Sequence, residues 1–170
     1  FILMLDPLSI PDVRDGCDDP SQLTQHAPGL ADLNDTYDSF MIHLRHMTRL
    51  SPSKFCRVPC AIVLNKVDAF ELEKRIGTGA ASAYQAVPEF RLNTEEDAMD
   101  AAIRDFLRRN GMANLVNHLE MTFRTHRFFS CSSLGHVPNG AAFTPRRVYA
   151  PLGWLLSRVD SELAAALSVE

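Results

Sequence analysis

The chain has 170 residues, is 46% apolar and 22% charged, and carries a formal net charge of −4. That length suits one compact domain with a single core, and the composition is ordinary for a soluble globular protein. There is no basic run to mark a nucleic-acid footprint, and no apolar stretch approaches the roughly 20 residues needed to cross a bilayer. Neither nucleic acid nor a membrane span is expected, although backbone amides and single lysines can still bind phosphate on an acidic protein.

The chain opens at Phe1 with Phe-Ile-Leu-Met-Leu, without a polar lead-in or the basic n-region of a signal peptide. Residues 1–5 read as a buried strand cut at its edge, so the chain is expected to be a fragment of a longer protein. Residues 7–29, rich in Asp, Pro and Ser, read as a surface loop in which short helical turns fit. A helix is predicted over 31–50 from Leu33, Tyr37, Phe40, Met41, Leu44 and Met47 at helical spacing. Residues 61–64 form a second continuous apolar run. Residues 77–92, with Gly, Ala and Pro, read as a loop in which short helical turns fit. Thr94-Glu95-Glu96-Asp97 resembles a capping box, opening a helix with Met99, Ile103, Phe106 and Leu107 that Gly111 stops. A further helix carries Leu115, Val116, Leu119 and Phe123. Residues 127–131 make the third apolar run, and 148–167 a last helix with Leu152, Leu155, Leu156, Val159 and Leu163.

Continuous rather than alternating apolar runs fit strands buried on both faces of a parallel sheet. Alternating with helices, they predict an α/β fold, three-layer α/β/α with a mostly parallel sheet, as a single domain over 1–170. The four cysteines, Cys17, Cys56, Cys60 and Cys131, lack a zinc-type spacing. Cys60 and Cys131 lie in or beside apolar runs and read as buried thiols, which favours a cytoplasmic location.

Chemistry concentrates in two loops that leave strand ends. Asn65-Lys66-Val67-Asp68 follows the second strand directly. Asp68 can accept paired hydrogen bonds from guanine N1–H and its exocyclic amine, a donor pair adenine lacks. Asn65 can tie the loop to its neighbours and reach the base N7, and the stem of Lys66 can lie over the purine. After the third strand comes Ser132-Ser133-Leu134-Gly135, where small residues allow a close approach and the Ser133 N–H can donate to purine O6. Alone, that second loop is ordinary turn chemistry. Its weight comes from position, because ligands bind at the carboxyl ends of strands in open α/β sheets.

The first loop resembles the Asn-Lys-x-Asp base-specificity motif of Ras-like and translation-factor-type P-loop GTPases. Ser132-Ser133-Leu134-Gly135 resembles their later Ser-Ala-containing loop, with Ser at 133 in place of Ala. The wider texture, with Asp6-Pro7-Leu8-Ser9 after the first strand and Asn114-Leu115-Val116 before Phe128-Phe129, resembles the bacterial double-GTPase group of conflict systems. The spacing of about 65 residues between the loops implies an insertion around 70–111. The resemblance implies the C-terminal half of a GTPase domain that binds GTP or GDP through Asn65, Lys66, Asp68, Ser132, Ser133 and Leu134. The chain has no Gly-x-x-x-x-Gly-Lys-[Ser/Thr] phosphate loop, so Mg²⁺ and hydrolysis are implied only with a missing N-terminal half, and no catalytic or metal-binding residue is assigned. Two rival readings are a degenerate GTPase-like module for a protein partner or homo-oligomer, and an unrelated flavodoxin-like domain.

Other candidates weigh less. Asp6 fits a strand-terminating turn better than a phosphoacceptor. His43 and His46, with His26 nearby, lack an acidic partner for zinc and read as surface. His136 can border the base pocket but reads as an exposed loop residue, and Trp154 reads as core.

Overall fold

The computed structural model describes residues 1–16, 32–49, 55–136 and 142–159. Three strands, β1 (Ile2–Leu5), β2 (Cys60–Leu64) and β3 (His126–Ser130), form an all-parallel sheet in the order β1-β2-β3. The fold is therefore mixed α/β, with each parallel step bridged by helix, as parallel pairing requires. The helices are α1 (Pro11–Asp15), α2 (Leu33–Thr48), α3 (Leu72–Ile76), α4 (Thr78–Gln85), α5 (Glu95–Leu107), α6 (Ala113–Thr122) and α7 (Ala150–Val159). The predicted loop at 7–29 begins with short helical turns of the kind its reading allowed, a 3₁₀ turn (Pro7–Ser9) and α1; its later residues, with His26 and Cys17, lie outside the described residues.

The larger core lies on one sheet face. Leu3, Leu5, Ile62, Leu64 and Phe128 meet Leu33, Tyr37, Met41 and Leu44 of α2, Ile103, Phe106 and Leu107 of α5, and Leu115, Val116 and Leu119 of α6. Burial of each such side chain contributes about 1.5–3 kcal/mol. Met47, part of the predicted α2 stripe, is 71% exposed. The opposite face holds Ala61, Val63, Phe129 and Cys131 beneath Trp154 and Leu155 of α7. Leu152 and Val159, predicted to face the core, are exposed because the helix meets the sheet through its Pro151, Trp154 and Leu155 side.

β2 is buried at every residue, as its apolar run predicts. β1 departs from the expectation of a fully buried strand. Ile2 and Met4, in register with Ala61 and Val63, are 46% and 48% exposed, because α7 reaches across β2 and β3 but leaves β1 uncovered on that face. The two outer edges of the sheet also differ. On β3, the Phe128 N–H donates to Asp100 Oδ1 at 2.7 Å and Arg147 Nε donates to the Ser130 carbonyl at 3.0 Å. On β1, no hydrogen bond among the described residues caps the outward groups of Ile2 and Met4.

α5 starts where predicted. The Asp97 N–H donates to Thr94 Oγ1 at 3.1 Å, but Asp97 turns its carboxylate to Arg127 at 2.5 Å, so only half of the capping box forms. Gly111, at φ 80°, breaks the helical path between α5 and α6. Residues 78–85, read from sequence as loop, are helical.

Candidate functional site

Asn65 follows β2 without a break, and its N–H donates to the Leu5 carbonyl at 3.1 Å, placing it beside the end of β1. Lys66 then takes φ 60°, the left-handed region, at a cost of about 1–2 kcal/mol for a side chain with a Cβ. The reversal sends Val67 inward, fully buried, with its N–H on the Cys131 carbonyl at 3.2 Å. Asp68, half-buried, thereby emerges beside the end of β3.

The second loop is built around Ser132. Its hydroxyl donates to Asp68 Oδ1 and accepts the Gly135 N–H at 2.7 Å. Its backbone pairs with Arg146 in both directions, at 3.1 and 2.9 Å, and the Thr144 N–H donates to the Leu134 carbonyl at 2.9 Å. Gly135, at φ 79°, allows this close return: a Cβ there would sit 1.8 Å from the Thr144 carbonyl oxygen. Ser133 is exposed, and its hydroxyl donates to Asn65 Oδ1 at 3.3 Å, while the Cys131 thiol approaches the same oxygen at 3.6 Å.

Four of the six residues predicted from sequence are therefore joined in two pairs, Asp68 with Ser132 and Asn65 with Ser133. Leu134 contributes its carbonyl to the loop closure. Lys66 turns the other way, and its Nζ sits 2.6 Å from Asp6 Oδ2 at the end of β1. Asp6 is also the cap of the 3₁₀ turn, its Oδ1 accepting the Leu8 N–H at 3.0 Å, which agrees with its reading as a strand-terminating residue.

A further link was not legible in the sequence. Arg147, at φ 54°, donates through both terminal nitrogens to Glu73 at 2.7 and 2.5 Å and through Nε to Ser130. It fastens α3, which begins just after the first loop, to the end of β3. The partners are 74 residues apart, and only the structure brings them together.

A carboxylate, an amide and two hydroxyls thus meet at the carboxyl ends of adjacent parallel strands, held by mutual hydrogen bonds. The nearby Cys131 thiol is pushed up to about 11, first by burial, with Asp68 raising it further and Arg147 opposing; it stays protonated near neutrality. Among the described residues no group of three or more His, Cys, Asp or Glu is placed to hold a metal ion. His43 and His46 are exposed on α2, and His136 Nε2 lies 2.9 Å from the Ala142 carbonyl. No described helix is long and apolar enough to cross a membrane. No family model, curated protein or solved structure matches the chain.

Proposed function

We propose that this chain is the base-reading part of a guanine-nucleotide-binding domain, a three-layer α/β/α sheet of the Ras-like GTPase type. The observation that carries the reading is the pairing of Asp68 with Ser132 across adjacent strand ends. The Ser132 hydroxyl occupies one lone pair of one carboxylate oxygen, leaving acceptor capacity for the N1–H and amine of guanine. Ser133, exposed beside Asn65, supplies an N–H for the purine O6, and Asn65 faces N7. GTP or GDP is the ligand class. The proposed residues read the base alone, and Mg²⁺ would be held only with a phosphate-binding loop, which this chain does not contain.

The test is a titration of the full chain with fluorescent GDP and ADP analogues. GDP is expected to bind in preference. Asp68→Asn is expected to weaken GDP about a hundredfold, the loss of roughly 3 kcal/mol of charge-assisted hydrogen bonding, and to shift preference toward xanthosine diphosphate, whose 2-oxo group accepts where guanine donates. Equal affinity for GDP and ADP, unchanged by the substitution, would overturn the reading.

A further inference from the structure

We infer that Asp6 is a positioning residue for the base-reading loop, acting through Lys66; the inference rests on the guanine-nucleotide reading above. Both Asp6 carboxylate oxygens are engaged, one by the Leu8 N–H and the other by Lys66 Nζ. The turn that holds Asp6 is itself anchored, with Pro7, Leu8 and Ser9 all buried, so the carboxylate is a fixed post rather than a swinging side chain. Lys66 is the pivot of the loop. Its left-handed backbone stands between the end of β2 and the fully buried Val67, and so sets the direction in which Asp68 leaves. A backbone conformation that side chains with a Cβ disfavour persists where its surroundings over-determine it, and the ion pair to a residue 60 positions upstream is one such constraint.

The same ion pair draws the lysine stem from the loop after β2 toward the end of β1, across a strand spacing of about 4.8 Å. Its ammonium is thereby fixed at Asp6 while the side chain stays 38% exposed. The loop direction that presents Asp68 is held before binding, and a pre-ordered loop loses less entropy on binding than a free one. Asp6 would then strengthen nucleotide binding without touching the nucleotide.

A double-mutant cycle on the full chain tests this, with N-methylanthraniloyl-GDP affinity as readout and thermal midpoint measured beside it. Asp6→Asn is expected to weaken GDP about tenfold, Asp6→Glu to recover most of the loss, and Asp6→Asn to have no further effect once Lys66 is Ala. Unchanged affinity in Asp6→Asn overturns the inference, as does an equal loss with and without the lysine, which would assign Asp6 to general stability. If the wild-type chain does not prefer the GDP analogue over the ADP analogue, the guanine reading itself fails and this inference with it. A wild-type preference without Asp6–Lys66 coupling sinks the inference alone.

Discussion

Burial holds the Cys60 sulfur, which has no exposed surface, in its neutral form and pushes the thiol from the ordinary value near 9.0 up to about 12, with neighbouring Cys56 adding to the rise and the terminal ammonium opposing it. A raised folded-state value favours the folded protein below the unfolded value, and this contribution is lost as pH climbs toward the folded one. Urea midpoints are therefore expected to be insensitive to this residue up to about pH 9 and to fall between about 9 and 12. A Cys60→Ala variant should show a shallower alkaline decline; an identical decline would mean that other groups govern it. Cys60 and Cys131 were legible as buried thiols because each lies in or beside a continuous apolar run. By contrast, the long-range ion pairs of Asp6, Glu73 and Arg147 leave no local signal. Each residue acts on a partner 60 or more residues away or on a strand end, and pairings of that range depend on how the sheet assembles.

Within α5, one carboxylate coordinates much of the local polar structure. Asp100 accepts Arg104 Nε at 2.7 Å and its terminal nitrogen at 3.1 Å, and also the Phe128 N–H of β3. Arg104 continues to Glu120 of α6 at 2.6 Å and lies over the Phe128 ring, 4.8 Å from its centroid. Asp100→Ala is expected to destabilise by about 2–4 kcal/mol, because it leaves a mostly buried guanidinium and a strand amide short of an acceptor. Chemical denaturation measures this, and a loss under about 1 kcal/mol would show that water replaces the carboxylate. The start of α5 was readable from Thr94, whose hydroxyl caps the helix within three residues. α4 was readable only as a loop in which a short helical turn fits. Its Thr-Gly-Ala-Ala-Ser-Ala sequence carries no apolar stripe, and only Ala81 of the helix is buried, with Tyr84 half-covered and bonded to Asp105. Packing against its neighbours, rather than its own pattern, makes it helical.

At the scale of the molecule, the apolar runs revealed the strands and their parallel sense, but not that β1 shows one face to solvent. A run such as Ile-Leu-Met-Leu reads the same whether one helix layer or two cover it. Ile2 and Met4 combine exposed apolar side chains with a backbone edge that no described residue caps, the combination that templates pairing with another strand. Met4→Lys is expected to leave the unfolding midpoint within about 0.5 kcal/mol of wild type and to reduce light scattering of concentrated samples. Scattering unchanged by the lysine would place association elsewhere.

The two unequal edges also give the sheet a direction of growth. β3 is stoppered by Asp100 and Arg147, so a strand joining this sheet has its place next to β1. The row of strand ends runs from Ser132 through Asp68 to Asp6, and each added strand would lengthen it beyond Asp6. The end of the row holding Ser132 and Asp68 is thus closed to extension, while the Asp6 end is the one that an added strand would lengthen.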